Sequence, residues 1–309
     1  MRLSARECEC TPRPAWRQPE LKSHSDRRQG AEQLLSVRAG GGLGDNSLPV
    51  HTVQSRDRAP DLALSVRDLC KTYTQVVAVD HVSFDVGHGE IVGLLGPNGA
   101  GKTTIINTVL DVLRPTSGSI RIGHLDIRTQ RSRALARTNF AAVYASLPGN
   151  LTVVQNLRFF GLLYGVRALG KRIEALLRQF SLERLRDTKC GVLSSGELTR
   201  VALAKSIVNH PELLLLDEPT ASLDPAAARE IRAGIRAQVR ASHSGVLWTS
   251  HNMYEVEEVC DRVLFLSHGQ ILLEGDPRTL PRQHGVRNLE ELFIRLAREP
   301  LAHREGHHA

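Results

Sequence analysis

Aromatic side chains make up only 4% of this 309-residue chain, too few to line the base-stacking face that holds single-stranded nucleic acid. Lysine and arginine outnumber aspartate and glutamate by 40 to 33, a formal net charge of +7, yet they never form a run of five or six. Such runs mark basic tails that bind nucleic acid. The balance reads as an arginine-rich soluble protein suited to an anionic lipid neighbourhood, and no nucleic-acid partner is expected. The five cysteines, Cys8, Cys10, Cys70, Cys190 and Cys260, show no zinc-ligand spacing and read as reduced cytosolic thiols. No apolar run approaches the ~18 residues needed to span a bilayer. The N-terminus carries arginines but no continuous apolar segment, which argues against a signal peptide.

Hydrophobic residues account for 41% of the chain, enough for one large α/β domain with an appendage. Residues 1–60 stand apart, with Pro12, Pro14, Pro19, Pro49, Pro60 and the cluster Gly40–Gly42 with Gly44. Such a segment has too little apolar surface to offset its chain entropy, so a loosely packed extension is expected there. From Asp61 the texture changes. LALSVRDL and VVAVDHVSFDV alternate as half-buried strands do. RPTSGSIRIG reads as a hairpin turning at Gly118, and 140–210 is mostly helical. RVLFLSHGQI reads as one late strand, and LEELFIRLAREP as a short amphipathic helix in a tail, 281–309. Strands alternating with helices predict a mainly parallel sheet.

Gly96, Pro97, Asn98, Gly99, Ala100, Gly101, Lys102, Thr103 and Thr104 spell GPNGAGKTT between a strand-like run, EIVGLLG, and a helix-like one. This is the phosphate-loop pattern in its required context. Successive loop N–H groups and the helix N-terminus suit a phosphate, and the glycines let the backbone come close. Lys102 would reach the β- and γ-phosphates, and the Thr103 hydroxyl would meet Mg²⁺. Further on, LLLLDEP carries Asp217 and Glu218 to the end of an apolar strand. Asp217 suits a contact to Mg²⁺, and Glu218 suits a base that polarises the attacking water.

LSSGELTRVALAKS, 193–206, lies just before that strand and resembles the signature of ATP-binding cassette proteins, usually LSGGQ. The other pieces follow in the family's order over roughly 62–280. Tyr73 resembles the aromatic that stacks on adenine. Ser194, Ser195, Gly196 and Glu197 fall on the signature. Ser222, Leu223 and Asp224 resemble the loop that crosses the dimer, and His251, in TSH, the histidine that contacts the γ-phosphate. The resemblance implies a cassette domain over 61–280, with a mainly parallel core sheet, an antiparallel β subdomain and an α-helical signature subdomain. It also implies ATP and Mg²⁺ held between two copies, or between this chain and a second cassette. A single cassette ending in NLEELFIRL is similar to ATPases of antibiotic-resistance and nodulation-type exporters. Those power separate integral-membrane permeases from the cytoplasmic face of the membrane.

Two departures from the family pattern carry consequences. Glu197 replaces glutamine and brings a carboxylate near a phosphate-binding helix. No glutamine lies between Gln130 and Gln155, so Ala145 or Ser146 stands where the family has its metal-touching glutamine. Tyr144 and Leu147 are then expected on the permease-facing surface, which continues to Tyr164. One other class stays open, a soluble cassette acting on ribosomes or DNA, but such proteins normally show a paired cassette or a long coiled-coil insertion, and neither is read here. A P-loop kinase or GTPase lacks support, because no Asn-Lys-x-Asp motif appears and the signature would be unexplained.

Overall fold

The computed structural model describes residues 61–142, 147–221 and 223–298. The expected loose extension, 1–60, lies outside them, as do Tyr144, Ala145, Ser146 and Ser222.

In chain order the elements begin with β1 (Leu62–Tyr73), β2 (Val76–Gly87), β3 (Ile91–Leu95), α1 (Lys102–Val109), β4 (Ser117–Ile122), β5 (Leu125–Asp126), α2 (Arg131–Leu135) and β6 (Thr138–Ala142). Three longer helices follow: α3 (Val153–Leu163), α4 (Leu169–Gln179) and α5 (Ser195–Ser206). The chain then forms β7 (Leu213–Asp217), α6 (Pro225–Ser242), β8 (Gly245–Ser250), α7 (Met253–Val259), β9 (Arg262–Ser267), β10 (Gln270–Gly275), α8 (Leu280–Gln283) and α9 (Leu289–Arg298).

They build two sheets. The first is antiparallel through β2, β1, β4 and β5. The second runs β10-β9-β3-β8-β7-β6, parallel throughout except for β10 against β9. This α/β architecture agrees with the expectation of a parallel core sheet joined by an antiparallel unit and a helical one.

The central strands are short and apolar because both their faces are covered. Val92 and Leu94 of β3 join Leu213, Leu215 and Leu247 in a core shared with the antiparallel sheet. Their neighbours along the same strands, Ile91, Leu95, Leu214, Leu216, Val246 and Trp248, enter a second core. That core includes Leu157 of α3, Leu176 of α4 and Val201 of α5. The period of two along a strand thus feeds two cores from one sheet. Leu289 and Leu292 of α9 are buried in the second core, with Phe293 6.0 Å from Phe265.

Three expectations fail. Gly118 is no hairpin turn: it lies inside β4 at φ +95°, where a Cβ would stand 2.4 Å from the Asp68 carbonyl oxygen. The turn between β4 and β5 falls instead at Gly123 and His124. RVLFLSHGQI is not one strand, because His268 and Gly269, both at positive φ, split it into the β9–β10 hairpin. Leu147 is 8% exposed and packs in the helical core. Its apolar side chain gains more from that core than from a surface, so it cannot serve as a docking residue.

Candidate active site

The phosphate loop leaves β3 at Leu95 and closes on Gly101 before α1. Two glycines are demanded by close approach. A Cβ on Gly96 would meet the Leu266 carbonyl oxygen at 2.4 Å, and one on Gly101, at φ +110°, would meet the Ala78 carbonyl oxygen at 2.5 Å. The loop is braced from behind: Gly269 N–H donates to the Ala100 carbonyl at 3.0 Å. Pro97, Asn98, Gly99 and Thr103 face solvent. No side chain caps α1 and no acid stands in its first turn, so its positive end is available to an anion.

Lys102 folds back over this loop. Its Nζ donates to the carbonyls of Gly96 at 2.6 Å and Pro97 at 3.1 Å. Burial pushes its pKa down, against the opposing pull of Glu218 and Asp217. That pull arises from the sheet order: β3, β8 and β7 are successive neighbours. Their carboxyl ends deliver the phosphate loop, His251 and the Asp217–Glu218 pair to one edge, where open α/β sheets bind ligands.

The carboxylates are individually fixed. Asp217 Oδ1 accepts from the Thr249 hydroxyl at 2.5 Å. Glu218 adopts φ +51°, a left-handed conformation rare for a non-glycine residue. Its N–H donates to the Thr249 carbonyl at 3.1 Å. So turned, Glu218 Oε2 lies 2.8 Å from His251 Nδ1, with Glu218 mostly covered and His251 largely exposed. Thr249 therefore holds both acids in place. In the sequence Thr249 is only one residue of TSH, because its position beside Asp217 exists only once β7 and β8 pair.

The signature residues do not join this cluster. Ser194 caps α5 and forms a reciprocal capping box with Glu197. Ser194 N–H and its hydroxyl each donate to Glu197 Oε2 at 2.8 Å, while Glu197 N–H returns to Ser194 Oγ at 3.4 Å. These bonds, the backbone one foremost, hold the Glu197 carboxyl below its usual range. The carboxylate is thus turned back on the cap, which removes the clash expected of an acid at this end. Ser195 is exposed, and a Cβ on Gly196 would lie 3.7 Å from Leu223. Asp224 caps α6 by accepting from Ala226 and Ala227 N–H at 3.1 and 3.0 Å, with Pro225 in the first turn. Tyr73, 41% exposed, ends β1 with Lys71 Nζ 5.0 Å above its ring.

Known proteins resemble this chain in sequence and in fold. The sequence profile of the ABC transporter family matches residues 79–221. The chain is 33% identical over 287 residues to "Probable multidrug ABC transporter ATP-binding protein YbhF" of Escherichia coli K12, covering 90% of this chain and 49% of that protein. It is 37% identical over 236 residues to the Nod factor export ATP-binding protein I of Rhizobium sp. N33, covering 75% of this chain and 77% of that one. The chain therefore spans about half the length of the first relative. A solved ATP-binding subunit of an ABC transporter superposes with a TM-score of 0.69 at 30% identity, over 76% of this chain and all of that one. The cbiO1 protein of Clostridium perfringens, part of the transporter complex cbiONQ, gives 0.66 at 27%, over 77% and 97%. A relative as similar as the Nod factor export protein over three quarters of both chains shows that the chain belongs to the ABC transporter family of ATP-binding proteins.

Proposed function

We propose that this chain binds and hydrolyses ATP to power a membrane exporter whose permease is a separate protein. The observation that carries the reading is the convergence of Lys102, Asp217, Glu218 and His251 at the carboxyl ends of three adjacent strands. Lys102, already among carbonyl oxygens, would exchange them for β- and γ-phosphate oxygens. Glu218, aligned by Thr249, would take the proton of the attacking water, and His251 would hold the γ-phosphate and keep Glu218 in place. The Thr103 hydroxyl, on an exposed residue, and the Asp217 carboxylate would supply oxygen donors of the kind Mg²⁺ takes, and the ion would neutralise phosphate charge when bound.

The end of α5 with exposed Ser195 and half-buried Gly196 would complete the site of a second copy, or of a second cassette, so that two ATP molecules sit between head-to-tail subunits. Tyr73 would stack on adenine, and the loop with Leu223 and Asp224 would lie at the same junction. Among the described residues no helix is long and apolar enough to cross a membrane, so the transport path falls to a partner. The exposed Phe159, Leu162 and Leu163 on α3 offer that partner an apolar face, whose opposite side packs Val153 and Leu157 in the core. The multidrug and Nod factor relatives favour export, and placement on the cytoplasmic face of the membrane follows from the need for ATP. The test is direct: the purified chain should bind and slowly hydrolyse ATP in the presence of Mg²⁺, and Lys102→Ala should weaken the binding. No binding by the wild type would overturn the reading.

A further inference from the structure

Away from the carboxyl ends of the parallel strands, the half of the β1–β2 hairpin nearer its turn gathers four residues of metal-binding chemistry: Asp68, Cys70, Asp80 and His81. Leu69 pairs with Val82 and Lys71 with Val79. Cys70 alone therefore faces two residues, Asp80 and His81, in a β-bulge. Bulges re-aim side chains, and they recur beside functional sites. One ligand atom from each of Cys70, Asp80 and His81 lies within 4.8 Å of the other two, the one such trio among the described residues. Cys70 is buried, Asp80 half-buried and His81 exposed.

Outer hydrogen bonds orient two of the three. His81 Nδ1 lies 2.5 Å from Asp68 Oδ1, which leaves Nε2 facing Asp80 Oδ1 at 3.9 Å. The other Asp80 oxygen, Oδ2, accepts from the Gln270 side chain at 2.6 Å. Histidines that ligate metals commonly give their second nitrogen to a carboxylate, and ligating carboxylates are hydrogen-bonded in turn. Asp68 and His81 both hold φ near +50°, so the backbone keeps an unfavourable conformation that brings the pair together.

We infer that Cys70, Asp80 and His81 form a three-ligand site for Zn²⁺, with Asp68 orienting the imidazole and a fourth position open to water. Thiolate and imidazole favour a borderline-soft divalent cation and exclude Mg²⁺ and Ca²⁺, and three ligands plus water suit zinc. Binding releases the thiol proton, and any imidazolium proton, to solvent; no electron moves. The site is two backbone hydrogen bonds from the phosphate loop, because Asp80 N–H donates to the Gly269 carbonyl and Gly269 N–H to that of Ala100. An occupied site would stiffen the strand that leads to Tyr73 and the brace behind Ala100. None of this is visible in cysteine spacing, since the ligands meet only across paired strands.

The experiment uses the full chain without a purification tag, reduced, stripped of metal by a chelator and kept at mildly alkaline pH. Titration with Co²⁺ should show one equivalent bound with a thiolate-to-cobalt charge-transfer band, and Zn²⁺ should displace it and raise the Tm by several degrees. Cys70→Ser should abolish the band. His81→Gln, at an exposed position, should weaken binding at least tenfold, and Asp68→Asn by about tenfold. These substitutions leave Cys8, Cys10, His303, His307 and His308 untouched, so metal held by the chain ends would survive them. The inference is overturned if the wild type shows no thiolate band, or if band and affinity persist in Cys70→Ser or His81→Gln.

Discussion

His251 Nδ1 and Glu218 Oε2 stand 2.8 Å apart at the ends of adjacent parallel strands. The contact joins the proposed base to the group proposed to hold the γ-phosphate, so the two act as one unit. His251→Ala should therefore lower ATP hydrolysis by about tenfold or more while ATP binding persists. Because His251 is largely exposed, its Tm should stay within about 1–2 °C of wild type, as surface substitutions usually do. Parallel measurements of steady-state hydrolysis and nucleotide affinity decide it, and an unchanged rate would remove His251 from the mechanism.

The candidate phosphate loop is legible as a strand–loop–helix element because its pattern is local: glycine spacing, a lysine and a hydroxyl within nine consecutive residues. Asp217 and Glu218 were legible because an apolar strand advertises its own end. What escaped depends on pairing or packing. Thr249 gains its role only from standing beside Asp217 in register. Gly118 looked like a turn, but its need is room for the Asp68 carbonyl across the sheet. Leu147 looked like surface because a loop sequence does not reveal which apolar side chain folds under it. The concern over Glu197 dissolves in a rotamer: its carboxylate bonds to Ser194, which no linear pattern specifies.

That capping box has a pH signature. Hydrogen bonds from Ser194 lower the Glu197 pKa below an ordinary glutamate value of 4.5. A group whose pKa is lower when folded contributes stability above its unfolded pKa and loses it as pH falls through the folded one. Glu197→Ala should thus destabilise the fold measurably at neutral pH by removing its half of the capping box. The difference from wild type should shrink as the pH drops below 4.5. Urea denaturation of both proteins across that range checks it, and a pH-independent difference would mean that charge plays no part in the cap.

The exposed face of α3 sets the coupling prediction. Leu162 and Leu163 are exposed by about two thirds, so charging them should leave the fold intact. Leu162→Asp with Leu163→Asp should keep basal ATP hydrolysis within a few-fold of wild type and abolish both co-purification with the permease and any change of rate it causes. Retention of both would move the docking surface off α3.

The most direct test of the central claim is Glu218→Gln. The amide keeps the size of the side chain but cannot accept a proton from water. The account predicts ATP affinity close to wild type, hydrolysis lowered by on the order of 10²–10⁴-fold, and an ATP-dependent dimer in size-exclusion chromatography. Hydrolysis by Glu218→Gln at the wild-type rate would contradict it and place the base elsewhere.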